Sequence, residues 1–157
     1  MRIGFGFDVH QLIENVPFTI GGIVIPNHKG AIGHSDADTL IHAICDALLG
    51  AANMGDIGLH FPDSDANLKG IDSKIILQKV VKLIGQKGYR VVNIDSTVCL
   101  QQPKLRQFIP QMQEKLARTM SIPVDNISIK ATTTEKLGFT GREEGVSAYA
   151  VALLENI

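Results

Sequence analysis

The sequence contains no tryptophan, two tyrosines and only two cysteines in 157 residues. Cys45 and Cys99 each lie within an apolar stretch, which gives no disulfide framework and no cysteine-rich metal site, and both thiols are expected to stay reduced and packed. Charge of one sign is also missing. The 15 Lys+Arg against 16 Asp+Glu leave a net charge of -1, which argues against nucleic acid or an anionic membrane surface as the main partner. No apolar run approaches the roughly 18 residues of a membrane span and no leader segment is recognisable, so a cytoplasmic location is expected. No repeat or linker divides the chain, and residues 1–157 read as a single domain. With 45% hydrophobic residues, a chain of this length buries roughly 68–70% of its unfolded surface. Such a core needs neither disulfide nor metal for stability, so any metal is expected to serve chemistry.

The even balance hides an asymmetry. Residues 1–65 hold all five histidines, seven of the ten aspartates and nine of the fifteen glycines, but only Arg2 and Lys29 as fixed positive charges. That segment carries net -6, and residues 66–157 carry +5. Aspartate and histidine crowded among glycines suggest a divalent cation, and the basic complement suggests a phosphorylated ligand. Turns rich in aspartate and glycine are the plainer explanation of the same composition.

Met1–Leu12 alternates with period two and reads as a strand, Ile3, Phe5 and Phe7 on one face and Gly4, Gly6, Asp8 and His10 on the other. Phe18–Ile20 and Ile23–Ile25 flank Gly21-Gly22, a hairpin signal, and Pro26–Gly33 reads as a loop. Ser35 as N-cap predicts a helix over Asp36–Ala52, and Asp72 precedes a second helix ending at Gly88. Arg90–Leu100, Ile127–Thr133 and Val146–Leu154 read as strands, and Lys104–Met120 as a helix interrupted or restarted at Pro110. The order predicts an α/β (α+β) fold: a mixed four-stranded sheet with helices on one face. The last strand is apolar or small on both sides, which implies that its second face is covered by other subunits.

Asp8 and His10, two apart on a strand, point to the same face and can bind one ion. Asp38, His42 and Asp46 form a stripe at i, i+4 and i+8 on a helix lacking Lys, Arg and Glu, which suggests a face turned to a site rather than to water. The imidazoles of His10 and His42 with the Asp8 carboxylate make three ligands with a free fourth position, as in catalytic zinc sites. A solvated strand edge and a core histidine held by a carbonyl are the alternatives. Gly33-His34-Ser35-Asp36-Ala37-Asp38, at the expected helix start, could receive an anion. The turns Gly55–Gly58 and Phe61–Asp65 suit sugar or polyol hydroxyls, although turn chemistry alone explains them equally well. Thr132, Thr133 and Thr134 offer phosphate donors, and Glu135 is a hard oxygen ligand of the kind Mg²⁺ or Mn²⁺ accepts.

Together, Gly6-Phe-Asp-Val-His10, Gly33-His-Ser-Asp-Ala-Asp38, His42-Ala-Ile-Cys-Asp-Ala-Leu-Leu-Gly-Ala-Ala-Asn53, Gly55-Asp-Ile-Gly58, His60-Phe-Pro-Asp63 and Leu137-Gly-Phe-Thr-Gly-Arg142 resemble the 2-C-methyl-D-erythritol 2,4-cyclodiphosphate synthase family of the non-mevalonate isoprenoid pathway. The likeness runs from Met1 to Leu154. It implies a homotrimer with sheets packed around a threefold axis and active sites at subunit interfaces. It assigns Zn²⁺ to Asp8, His10 and His42, a second divalent cation (Mg²⁺ or Mn²⁺) to Glu135, and transition-state stabilisation to His34 and Thr133. Asp8, Val9, His10 and Ser35 would hold the substrate near the metal, Ser35 on the diphosphate. Asp56, Ile57 and Gly58, with Phe61, Pro62, Asp63, Ser64 and Asp65, would contact the sugar and methylerythritol parts. Leu100, Gln101, Gln102, Pro103, Lys104, Leu105 and Arg106 would line a cytidine diphosphate pocket with Thr132, Thr133 and Thr134, and Glu135 would also contact the substrate. Phe139 and Arg142 would stand near an axial cavity able to accept an isoprenoid diphosphate, and Glu143 occupies a position where several relatives carry glycine.

The implied reaction converts 4-diphosphocytidyl-2-C-methyl-D-erythritol 2-phosphate to the cyclic diphosphate and CMP. Two other readings of the same residues are a zinc-dependent phosphate-ester hydrolase and a non-catalytic trimeric module that binds nucleotides or isoprenoid diphosphates.

Overall fold

In the computed structural model, which describes residues 1–157, the period-two N-terminus forms the long strand β1 (Arg2–Glu14). The segments Phe18–Ile20 and Ile23–Ile25 pair as the expected hairpin, β2 and β3, around Gly21 and Gly22. Strand β4 (Lys29–Ile32) lies inside the stretch expected to be a loop and pairs antiparallel with Gln11–Glu14 of β1. The sheet continues through β5 (Tyr89–Cys99), β6 (Ile127–Thr132) and β7 (Gly145–Asn156) in the order β4-β1-β7-β5-β6. β5 and β6 are parallel and the other neighbours antiparallel, so the sheet is mixed as expected but has five strands rather than four. Lys-Gly-Ala-Ile is too short to show alternation, and backbone pairing to an existing edge makes it a strand.

The helices α1 (Thr39–Ala51), α3 (Ser73–Gln86) and α4 (Ile109–Met120) cover one face, while the single turns α2 (Ile57–His60) and α5 (Gly138–Gly141) serve loops. Val146, Ala148, Ala150, Ala152 and Leu154 of β7 are buried beneath the helices. Two of the helix-facing positions on β1 are glycines, and a Cβ at Gly4 or Gly6 would fall 1.9 Å from the carbonyl oxygen of Ala47 or Ala43. Helix α1 therefore rests almost backbone to backbone on β1. The large side chains of β1 point the other way, where Ile3, Phe5, Phe7 and Val9 stand exposed beside Tyr149 and Val151 of β7.

Two helix starts differ from expectation. α1 begins three residues late because Asp38, not Ser35, is its N-cap: the buried carboxylate accepts hydrogen bonds from the amides of Ile41 (3.0 Å), Gly21 (3.0 Å) and Gly22 (2.6 Å). Asp38 thus clamps the β2–β3 hairpin to the helix and takes no part in a site-facing stripe. Its carboxylate also occupies the helix N-terminus proposed as an anion site. α4 starts at Ile109, with Pro110 in its first turn where a missing N–H costs nothing, and the residues from Lys104 to Phe108 lie outside it.

Candidate metal and substrate site

The close approach of α1 to β1 assembles the first part of the site. Asp8 and His10 lie on the helix-facing side of β1, and His42 stands on the first turn of α1. His10 Nε2 and Asp8 Oδ2 are 3.0 Å apart, His42 Nδ1 and Asp8 Oδ2 3.1 Å, and the two ring nitrogens 3.1 Å. Zinc bonds of about 2.0–2.1 Å arranged tetrahedrally require ligand atoms about 3.3 Å apart. The triangle is therefore a preformed ligand face, needing only a few tenths of an ångström to open around an ion. These are the residues of the chain grouped to hold a metal ion, and two imidazoles with one carboxylate fit Zn²⁺ with a position left for substrate.

The rings are oriented for this role. His10 Nδ1 lies 2.8 Å from the carbonyl oxygen of Ile32, which can only accept, so that nitrogen carries the proton and Nε2 offers its lone pair. Burial alone would push the Asp8 carboxyl up, but hydrogen bonds and charge from His10 and His42 outweigh it and hold the pKa at about 2. Burial would lower His10, yet the hydrogen bond and charge of Asp8 raise it above 6.5.

A cleft of about 520 Å³ opens from the triangle, bounded by His34, Ser35, Ile57, Gly58, Phe61, Pro62, Asp63 and Ser64. His34 Nε2 stands 3.3 Å from the carbonyl oxygen of Asp65, and Ser35 Oγ lies 3.0 Å from His42 Nε2 while accepting the Ala37 amide. Asp46, one turn beyond His42, accepts the amide of Ile57 (2.8 Å) and so ties α1 to the loop that closes the cleft. Of the stripe Asp38, His42 and Asp46, only His42 reaches the cleft. Asp56 and Asp65 act as caps, their carboxylates accepting from the amides of Leu59 and Asn67. The Val9 side chain belongs to the opposite, exposed face of the sheet.

The second group of expected residues forms a separate cleft of about 350 Å³, lined by Leu100, Pro103, Lys104, Leu105, Arg106, Thr132 and Thr133. Thr133 Oγ1 donates to Glu135 Oε1 at 3.1 Å, Gln101 Oε1 accepts the Lys136 amide, and Thr134 Oγ1 donates to the Leu137 carbonyl. Gln102 lies outside the lining. Leu100 and Leu105 are buried in the core, so they form the floor. Register pairs place Val9, Ser147, Cys99 and Thr132 in one row across β1, β7, β5 and β6. Three strand spacings, about 14 Å, separate the two clefts at the same end of the sheet, and Glu135 stands with Thr133 rather than with the triad. Phe139 packs beside Gly145, and Arg142 is held in a two-point pair by Glu144.

Two further residues stand behind His42: Asp36, which the sequence marks only as part of the segment at the expected helix start, and Ser73, which it does not mark at all. Ser73 is the fully buried first residue of α3, and its Oγ lies 3.0 Å from His42 Nε2. Its place was hidden because a serine after Asp72 reads simply as part of a helix start.

The YgbB family model matches residues 1–155. The 2-C-methyl-D-erythritol 2,4-cyclodiphosphate synthase of Bacteroides fragilis is 62% identical over 157 residues, covering 100% of this chain and 99% of that protein. Among solved structures, a CDP-bound form of 2C-methyl-D-erythritol-2,4-cyclodiphosphate synthase superposes with a TM-score of 0.91 at 38% identity, covering 98% of this chain and 100% of its own. The bifunctional IspDF of Campylobacter jejuni gives 0.96 at 41% identity; this chain is covered to 99% and spans 42% of that longer one. The chain, whose ligand triangle and glycine-lined strand carry the motifs singled out above, belongs to the YgbB family.

Proposed function

We propose that the protein is a cyclase that converts 4-diphosphocytidyl-2-C-methyl-D-erythritol 2-phosphate to 2-C-methyl-D-erythritol 2,4-cyclodiphosphate and CMP. The observation that carries this reading is the preformed Asp8–His10–His42 triangle, opening into a polar cleft in a chain so similar to synthases of that name. In the reaction an oxygen of the 2-phosphate attacks the β-phosphorus, and the bond from that phosphorus to the α–β bridging oxygen breaks, the oxygen leaving with CMP. The nucleophile is already an anion at neutral pH, so no side-chain base has to remove a proton from it. The obstacles are repulsion between phosphates and the geometry of ring closure. Asp8, His10 and His42 would hold Zn²⁺ and Glu135 a Mg²⁺ or Mn²⁺, and the bound cations would supply positive charge that offsets this repulsion.

The chain's own residues contribute position and hydrogen bonds. His34 and Ser35 stand beside the triangle, where they can donate to phosphate oxygens. Ile57 and Gly58, with Asp63 and Ser64, present the backbone and polar groups that the methylerythritol hydroxyls require. Thr133 can turn its hydroxyl from Glu135 to a phosphate oxygen when the carboxylate engages a cation. Lys104 and Arg106 supply positive charge, and Leu100 and Leu105 an apolar floor, for the cytidine diphosphate end. Because both reacting groups belong to one substrate, holding it folded accounts for a large share of the acceleration.

The two clefts, about 14 Å apart within one chain, and the exposed apolar face of β1 and β7 support a homotrimer around a threefold axis. In that assembly the metal cleft of one subunit faces the nucleotide cleft of the next. Near that axis Phe139 would offer an apolar surface, and Arg142, on exchanging Glu144 for the ligand, a guanidinium, to an isoprenoid diphosphate. Incubation with the cytidylyl substrate, zinc and magnesium, followed by phosphorus NMR, tests the reaction. A cyclic diphosphate and CMP in equal amounts are expected. Inorganic phosphate released from simple esters would identify a hydrolase instead, and binding without turnover a non-catalytic module.

A further inference from the structure

A zinc-ligating histidine must present a lone pair at the ligating nitrogen, so its other nitrogen must carry the proton. The Ile32 carbonyl secures this for His10. For His42 the outward nitrogen, Nε2, faces two hydroxyls, Ser73 Oγ and Ser35 Oγ, each at 3.0 Å. A hydroxyl can donate or accept, and neither contact alone decides where the proton sits.

Asp36 decides it. Ser73 Oγ lies 2.5 Å from Asp36 Oδ1, and the Ser73 amide donates to Asp36 Oδ2 at 3.0 Å. An ionised carboxylate only accepts, so the single hydroxyl proton of Ser73 is directed to Asp36. Ser73 Oγ then faces His42 as an acceptor, and Nε2 must donate to it. We propose that Ser73 and Asp36 are positioning residues, a carboxylate–hydroxyl relay that holds His42 in its Nε2–H tautomer with the Nδ1 lone pair aimed at the metal. The relay is built into the fold. Asp36 also donates its own amide to the Ile71 carbonyl (3.1 Å), so the loop before α1 and the first turn of α3 are joined by a half-buried set of bonds ending on the histidine. Ser35 Oγ accepts the Ala37 amide and gives Nε2 secondary support.

The inference rests on the assignment of zinc to Asp8, His10 and His42, and zinc affinity separates the two claims. Wild-type protein, Ser73→Ala and Asp36→Asn are titrated with zinc against a chromophoric chelator, with folding followed by circular dichroism. Loss of an outer-shell partner costs about 10–100-fold in affinity; with Ser35 still present, about tenfold is expected for Ser73→Ala. Asp36→Asn is the sharper variant. An amide in place of the carboxylate leaves either the Ser73 amide or its hydroxyl without an acceptor, so the hydroxyl can donate to Nε2 and favour the wrong tautomer. A matching loss of zinc affinity is expected with Ser73 itself intact. In the zinc-loaded wild type, nitrogen-correlated NMR should show the His42 Nε2 proton protected from exchange, and the protection should fall in both variants. Folded variants with zinc affinity within about twofold of wild type, or a wild-type Nε2 proton exchanging like that of a free imidazole, would overturn the relay. Wild-type protein that binds no zinc would remove the metal assignment beneath it.

Discussion

Gly6→Ala tests whether the nearness of α1 to β1 builds the metal site. A Cβ at position 6 meets the carbonyl oxygen of Ala43 at 1.9 Å and the amide nitrogen of Ala47 at 2.6 Å, whereas real Cβ contacts essentially never fall below 3.0 Å. The obstacle is helix backbone, so α1 as a whole must retreat by at least 1.1 Å at this point. His42 precedes Ala43 on that helix and moves with it, opening the two 3.1 Å edges that it shares with Asp8 and His10 towards roughly 4 Å. Metal sites tolerate only about ±0.2 Å in ligand distance. Zinc affinity should therefore fall by more than the roughly 10–100-fold expected for an outer-shell defect. Overpacking should also cost about 1–3 kcal/mol of stability. Chelator competition and thermal unfolding with and without zinc are the assays. Zinc at about 100 times its dissociation constant stabilises the wild type by about 2.7 kcal/mol, an increment that Gly6→Ala should lose. Gly50→Ala, on the same helix, is the control: its Cβ meets nothing nearer than 4.0 Å, and the better helix former should leave zinc binding intact. Wild-type zinc affinity and melting temperature in Gly6→Ala would show that the close approach is not what assembles the triangle.

His10 predicts a proton linkage. Its raised pKa, which Asp8 brings about against the effect of burial, stabilises the zinc-free fold below about 6.5, and this contribution is lost as pH rises through the folded value. Zinc requires the neutral ring, so its affinity should fall up to about tenfold per pH unit below that folded value, with about one proton released on binding, as calorimetry in buffers of different ionisation enthalpy can measure. Glu135→Gln should keep full zinc affinity yet raise the Mg²⁺ or Mn²⁺ requirement; an unchanged requirement would contradict the two-cation scheme. Val151 faces outward and Ala150 is buried under the helices, so Val151→Asp should dissociate the proposed trimer in sedimentation while retaining zinc, and Ala150→Asp should unfold the chain. Glu143, with φ +58°, occupies the left-handed region, so Glu143→Gly should raise the unfolding free energy by about 0.5–1 kcal/mol; a lower melting temperature would refute this.

Much of the fold was legible because alternation and turn chemistry are local signals. The β2–β3 hairpin follows from Gly21-Gly22, and α3 begins where Asp72 accepts the Lys74 amide. Strand β4 was not legible, since four residues without a pattern become a strand only when β1 offers an edge. Nor was the true start of α1, because Ser35 and Asp38 are equally good caps locally. The choice falls to Asp38 through two bonds to the hairpin amides, sixteen and seventeen residues away in sequence. A tertiary clamp of that kind leaves no trace in the spacing around it.

The site divides along the same line. Asp8, His10 and His42 could be grouped from the sequence because two lie on one strand face and the third on a helix poor in solvating charge. What the spacing left out was the nearness of the two elements, which depends on side chains that are absent: Gly4 and Gly6 remove the bulk that would hold α1 away, and β1 turns its large residues outward. That arrangement has a second consequence. A strand that uses glycine to bring a helix close leaves its apolar surface on the opposite face, where Ile3, Phe5, Phe7 and Val9 stand exposed. The residues that let the metal ligands meet within one chain are thus on the same strand as an exposed apolar face, and the proposed homotrimer would use that face and bring the proposed nucleotide cleft of one subunit to the metal cleft of another.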